Sequence, residues 1–213
     1  MKSRFFRWVY LIIFIPFYNC LGHSNNELIS TNMKNENLET IYFGAGCFWC
    51  VEAIFQQVKG VIEVIPGYCG GDSKNPTYNE VCSGKTGHVE VAKVVYDPDS
   101  VNLYHLLDVF WKTHDPTTLN RQGNDVGTQY RSAIFYNELS QKSKILKFKE
   151  ELNLNFFWDK PVITEIEKID VFYVAENYHH NYFNNNKSQG YCQFVIKPKI
   201  DKYKNIFEVK DAN

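Results

Sequence analysis

An α+β fold is predicted: a ferredoxin-like two-layer sandwich built on a split β-α-β core, with a C-terminal extension. Three observations predict it. After residue 40 the apolar period switches in the order strand, helix, strand, strand, helix, strand. Val89–Tyr96 (VEVAKVVY) alternates as a half-buried strand does. Leu103, Leu106, Leu107, Phe110 and Trp111 fall on one face of a helix. A parallel α/β layering competes, because the pattern alone does not fix strand order.

Taken in order, Thr40–Ala45 is a short β-prone run ending at Gly44 and Gly46, and from Cys47 the spacing of Val51, Ile54, Phe55 and Val58 is helical, closing at Lys59-Gly60. Val61–Ile65 reads as the second strand, and Gly67, Gly70, Gly71 and Pro76 mark a loop. Val89–Tyr96 follows, then a capping turn at Asp97-Pro98-Asp99-Ser100, the Leu103–His114 helix, a polar loop over 115–127 and a strand at Arg131–Tyr136. A charged helix is expected over Lys142–Leu152, short strands within 162–174 and a short helix over Ala175–Phe183. No internal repeat is present.

The domain is expected over 40–205, with a tail over 206–213. Ahead of it, residues 1–22 read as a signal: Lys2, Arg4 and Arg7 precede eleven uncharged residues, too few to span a bilayer. This predicts entry to the secretory pathway or periplasm, without fixing whether the protein ends up secreted, periplasmic or in an organelle. Residues 23–39 form a polar, Asn-containing linker. With 23 Lys and Arg against 24 Asp and Glu, the net charge of −1 argues against a nucleic-acid partner. Six cysteines in 213 residues are too sparse for a disulfide-scaffolded miniprotein. A monomer is expected.

The chemistry gathers at the first strand-to-helix junction. Cys47 follows Gly46 at a helix start, where unpaired N–H groups and the dipole favour thiolate. Gly44 and Gly46 allow a tight turn and an open approach to the sulfur. Phe48 and Trp49 cannot both face the core, so one should line open surface. Cys47-Phe48-Trp49-Cys50 is a C-x-x-C, compatible with redox or zinc chemistry; zinc is the weaker reading, since no second ligand pair accompanies it. From the residues alone, a general disulfide oxidoreductase and a non-catalytic binding module stay open beside a catalytic thiol. Likewise Tyr78 could be a turn tyrosine and Glu90 a solvent-facing strand residue.

GCFWC at 46–50, GYCGG at 67–71, NPTY at 75–78, GHVE at 87–90, HDPT at 114–117, QGNDVGTQYRS at 122–132 and GYC at 190–192 together resemble peptide methionine sulfoxide reductase, type A. The resemblance runs from about residue 41 to about 205. It implies reduction of methionine (S)-sulfoxide, free or in proteins. Cys47 is then the nucleophile that becomes a sulfenic acid, Glu90 the general acid, and Tyr78 and Tyr130 the phenols that bind the sulfoxide oxygen. Phe48 and Trp49 become walls for the methyl group, and Asp125 a polar substrate contact. It also implies recycling by thioredoxin or a thioredoxin-like protein, with no metal, flavin or nucleotide. Cys192 matches a resolving cysteine that a mobile tail would deliver. Cys50, standing where the commoner motif GCFWG has glycine, is a rival resolver, and a relay through both is a third route. Cys69 and Cys82 read as bystanders, His88 as a structural loop residue, and His179 and His180 as packing beside the site.

Overall fold

The computed structural model describes residues 37–155 and 157–208. The signal reading over 1–22 and nearly all of the linker reading lie outside them, as does the end of the tail. The described elements run β1 (Glu39–Ala45), α1 (Phe48–Phe55), β2 (Val61–Cys69), α2 (Tyr78–Cys82), β3 (Val89–Tyr96), α3 (Leu103–Thr113), a hairpin β4 (Arg121–Gln122) and β5 (Asp125–Val126), and β6 (Ser132–Tyr136). There follow α4 (Leu139–Leu154), β7 (Glu165–Lys168), β8 (Tyr173–Val174), α5 (Tyr182–Asn185), a π-helical turn over Cys192–Ile196 and α6 (Lys197–Phe207).

The main sheet has the order β7-β6-β1-β3-β2-β8. Its centre, β6-β1-β3-β2, is antiparallel throughout and has the strand order of two split β-α-β units. The parallel α/β alternative fails there, and among the described residues the single parallel pairing is β7 on β6. Strand parity sorts the core. Ile41, Phe43 and Ala45 of β1, Ala92, Val94 and Tyr96 of β3, and Ile134 and Tyr136 of β6 pack under α1, α3 and α4. Tyr42, Val89, Val91, Ala133 and Phe135 face the other way, against Ile169 and Phe172. Glu90 has the parity of Ala92, so it lies on the helix side, beneath the start of α1.

Several boundaries moved for local reasons. The N-cap of α3 is Asn102, whose side chain accepts from His105 N–H at 2.9 Å, while Asp97 closes the preceding turn. α4 starts at Leu139 because Glu138 and Gln141 form a capping box. The C-terminal extension is largely helical: α6 continues without a break from the π turn.

A buried polar chain fixes the 115–131 loop. Trp111 Nε1–H donates to Thr164 Oγ1 at 2.9 Å, which is 2.8 Å from Ser132 Oγ, itself 2.8 Å from His114 Nε2. His114 Nδ1–H donates to the Phe110 carbonyl at 2.6 Å. Burial holds this imidazole neutral, its pKa pulled down to about 4. Gln122 bonds both ways with the Asp115 backbone, at 3.1 and 3.0 Å.

Gly46 joins this loop to the site. Its φ is +84°, and a Cβ there would lie 2.6 Å from Gln122 Cβ. Gly44, in turn, leaves room for Val89, 2.7 Å from where its Cβ would be. Both glycines therefore admit neighbours and do not open a path to the sulfur. Gly46→Ala combines left-handed backbone strain with a steric clash; a loss of about 2 kcal/mol of stability is expected in urea unfolding.

Candidate functional site

The site forms where β1 hands over to α1. Cys47 is the N-cap of α1, buried, and its side chain makes no capping hydrogen bond. The free N–H of Phe48 is taken instead by Glu90 Oε2 at 3.1 Å. Contrary to the sequence expectation, the helix start therefore serves the carboxyl group more directly than the sulfur. Burial, the hydrogen bond shared with Cys50 and the fields of Cys50 and Glu90 push the Cys47 thiol well above its ordinary pKa. Glu90 is 1% exposed, and its Oε1 has no hydrogen-bond partner. Burial raises its pKa to about 8, against the opposing Phe48 N–H and with help from Asp125 and Cys50. A carboxyl group in that state still carries its proton at neutral pH.

Aromatic rings wall the site. Phe48 is fully buried, with ring centroids 4.9 Å from His179, 5.8 Å from Tyr68 and 6.5 Å from Tyr78. Trp49 is the half-buried member of the pair, as the consecutive aromatics require. It stacks on Tyr182 at 3.6 Å and 5°, and its Nε1–H donates to His179 Nδ1 at 3.0 Å. Since Nδ1 accepts, the His179 proton is on Nε2, which has no hydrogen-bond partner and stands 3.8 Å from Glu176 Oε2. Burial keeps this ring neutral, with its pKa lowered to about 4.

Tyr78 and Tyr130 are half-buried, and burial together with the Glu90 field raises both phenol pKa values, so both remain hydroxyl donors. Asp125, on the β4–β5 hairpin, accepts from the Tyr191 hydroxyl at 2.8 Å. That same hydroxyl lies 4.0 Å from Cys50 Sγ. Cys50 shares an apolar cluster with Cys47, Phe48 and Cys192. The hydrogen bond with Cys47 brings the Cys50 pKa down to about 7 against burial, with Lys199 and Tyr191 adding to the effect. Cys192 is not on a free tail: it is fully buried in the first position of the π turn, within the electrostatic reach of Cys50. Its segment continues into α6, and the apolar cluster holds it there.

The remaining named residues sort by contact. His88 Nδ1 accepts from Gly71 N–H at 3.1 Å and its Nε2–H donates to Ser73 O at 2.7 Å, so both ring nitrogens hold the 71–73 loop. Cys69 is buried on the far sheet face. Cys82 is exposed, one turn from Tyr78, whose hydroxyl it meets. Among the described residues no group of three His, Cys, Asp or Glu side chains is placed to hold a metal ion.

Sequence reasoning passed over several residues that shape the site. Glu176 accepts from Tyr78 N–H at 2.8 Å and from the Tyr68 hydroxyl at 2.9 Å. Burial would push it up, but those bonds outweigh it and hold its carboxyl below the usual range. Glu52, 2% exposed on α1, accepts from the N–H groups of Asn181 and Tyr182 at 2.7 and 3.2 Å, fixing the ring that stacks on Trp49. The helical spacing from Cys47 to Glu52, and the E-N-Y-H-H-N-Y run, were the available signals. Neither tells which partner the side chain meets.

The chain matches a family model described as peptide methionine sulfoxide reductase over residues 39–211. It is 53% identical over 174 residues to a protein of Nautilia profundicola named peptide methionine sulfoxide reductase MsrA, covering 80% of this chain and 95% of that one. A protein of the same name from Vesicomyosocius okutanii is 51% identical over 166 residues, covering 78% and 98%. Among solved structures, the reduced form of Mxr1 from Saccharomyces cerevisiae is 34% identical with a TM-score of 0.69, covering 75% of this chain and 91% of that one. Methionine sulfoxide reductase A of Corynebacterium diphtheriae is 36% identical with a TM-score of 0.64, covering 72% and 77%. With sequence motifs, sheet order and family model in agreement over the same span, this chain belongs to the peptide methionine sulfoxide reductase family.

Proposed function

We propose that the chain reduces methionine (S)-sulfoxide, in peptides or free, through Cys47. The observation that carries this reading is a protonated, nine-tenths-buried Glu90 carboxyl with one oxygen unpartnered, bonded to the first N–H of the helix that Cys47 caps. Thiol–disulfide exchange has no oxygen leaving group for that acid to protonate. A sulfoxide oxygen does, because it becomes basic as its sulfur is attacked.

Cys47 sulfur attacks the sulfoxide sulfur while Glu90 gives its proton to the oxygen. The S–O bond breaks, the oxygen passes to Cys47, and methionine leaves. The thiol proton restores Glu90, so the step is balanced: the substrate sulfur is reduced by two electrons and Cys47 is oxidised to sulfenic acid. Tyr78 and Tyr130 donate to the same oxygen, Phe48 and Trp49 enclose the methyl group, and Asp125, held by Tyr191, orients polar parts of the substrate.

Cys50 is the first resolving thiol. It lies one helical turn from Cys47 in the same apolar cluster, and its lowered pKa supplies thiolate near neutrality. It attacks the sulfenic sulfur, water leaves, and a Cys47–Cys50 disulfide forms. Cys192, on the Cys50 side, receives the disulfide by exchange, and a thioredoxin-like dithiol reduces it. No bound cofactor enters this cycle. The N-terminal basic and apolar run supports secretory or periplasmic entry, where such a reductant must then be present.

Incubating the reduced protein with a methionine sulfoxide peptide and dithiothreitol should yield methionine, and Cys47→Ser should abolish it. No methionine from the wild type would sink the proposal. Activity should fall as pH rises through about 8, where Glu90 loses its proton. Glu90→Gln should cost about 10²–10⁴ in rate and remove that limb. The same shift predicts a stability trend. A carboxyl group raised in the folded state destabilises progressively from its unfolded value near 4.3 up to about 8. Urea midpoints should therefore decline across that window in the wild type and decline less in Glu90→Gln. For recycling, Cys50→Ser should release one methionine per enzyme and then stall with thioredoxin, while Cys192→Ser still forms the Cys47–Cys50 disulfide. Peptide mapping of the oxidised variants reads both.

A further inference from the structure

Behind Cys50, on the side away from the substrate walls, a small cavity is lined by Ala45, Ile54, Phe110, His114 and Lys199 together with Cys50 itself. No carboxylate lines it. His114 is neutral and both of its ring nitrogens are already bonded, so Lys199 is the one charged side chain that the cavity brings to Cys50. Lys199 lies on the helical segment that runs unbroken from the π turn into α6, where Lys197 is paired with Asp201 at 2.8 Å. Among the described residues no carboxylate lies within ion-pairing distance of Lys199. Its side chain instead lines the cavity together with Cys50, whose pKa its charge lowers.

The charges around the two thiols are thus unequal. Cys47 faces the Glu90 carboxyl group and the Tyr191 hydroxyl. Cys50 faces Cys47 on its own helix, Tyr191 and Cys192 from the C-terminal segment, Lys199 from α6, and His114 across the cavity, with Glu90 within its field from β3. Lys202 and Asp115 lie beyond, in the field of Lys199 and of one another. Of these groups Lys199 alone is a cation placed against Cys50. We infer that Lys199 is a positioning residue of the recycling step: it holds Cys50 as the thiolate that attacks the Cys47 sulfenic acid, and it sets which of the paired thiols carries the negative charge. The inference rests on the reading of Cys50 as first resolver. The step balances without a further reagent: the Cys50 thiolate forms the S–S bond, the sulfenic S–O bond breaks, and hydroxide leaves and takes up a proton as water.

The test is a single turnover of the reduced enzyme with a methionine sulfoxide peptide and no external reductant. Acid quench gives methionine formed, and alkylation with peptide mapping gives the Cys47–Cys50 disulfide. In Lys199→Met, disulfide formation at pH 7 should slow by about three- to tenfold relative to methionine formation. This is the net of a smaller thiolate fraction and a more nucleophilic thiolate. The deficit should close as pH is raised to about 9.5, where Cys50 ionises without help, and Lys199→Arg should restore most of the rate at pH 7. An unchanged disulfide rate, or a deficit that is the same at every pH and is not rescued by arginine, overturns the role of Lys199. Should Lys199→Met fail to fold, Lys199→Gln is read in the same way. A wild-type map showing Cys47–Cys192 with no Cys47–Cys50 intermediate overturns the resolver reading itself, and is distinguishable because it needs no variant.

Discussion

The hydrogen bond from Phe48 N–H to Glu90 Oε2 is the constraint on which the site depends. It ties the first turn of α1 to the middle of the sheet. Burying a carboxyl group is costly unless it is neutral or well paired. Here it is neutral, with one oxygen bonded and the other unpartnered. Everything that brings α1 down onto β3 follows from that contact: the positive φ of Gly46, the absence of a Cβ that would strike Gln122, and the placement of Tyr68 opposite Glu90 in the β2–β3 register. A buried acid with a free oxygen is poor for stability and suited to protonating something that arrives later.

The second consequence is electrostatic. A helix start that has spent its first N–H on Glu90 does less for Cys47, and burial works against thiolate there. The Cys50 pKa is instead brought down to about 7, with the charge of Lys199 adding to the effect. Burial holds the Cys47 thiol above its ordinary pKa. Its activation therefore belongs to the moment when substrate binds and Glu90 passes on its proton, which protects the sulfur from chance oxidants, since reactivity follows thiolate character.

Much of this was legible in the sequence, for stated physical reasons. The core β-α-β-β-α-β order came from periodicity, and the strand order agreed with it once antiparallel pairing was fixed. The parity of VEVAKVVY already places Glu90 with Ala92, Val94 and Tyr96; what parity does not say is which face the helices cover. That one of Phe48 and Trp49 must leave the core followed from geometry alone; that it is the half-buried Trp49 did not. Two expectations failed. The expectation of a thiolate at Cys47 ignored a competitor for the same N–H, forty-two residues away in the chain. The expectation that a mobile tail delivers Cys192 came from the resemblance, whereas Cys192, Ile196 and Ile200 bury one side of a helical segment against the α1 cluster. Short elements such as α2 and the β4–β5 hairpin carry too few residues for a period to register.

The C-terminal segment was least legible and supplies the second wall. Its contacts with α1 are polar and specific rather than periodic: Glu52 holds Asn181 and Tyr182, His179 holds Trp49, and Tyr191 bridges Asp125 to the thiols. Such contacts give little net stability but fix orientation, because each leaves a costly orphan if broken. They also place Cys192 and Lys199 on one continuous helical segment, seven residues apart. The π turn at Cys192–Ile196 widens the helix between these two groups. A segment that must keep an ammonium group against one sulfur while presenting another for exchange has reason to carry an irregularity between them.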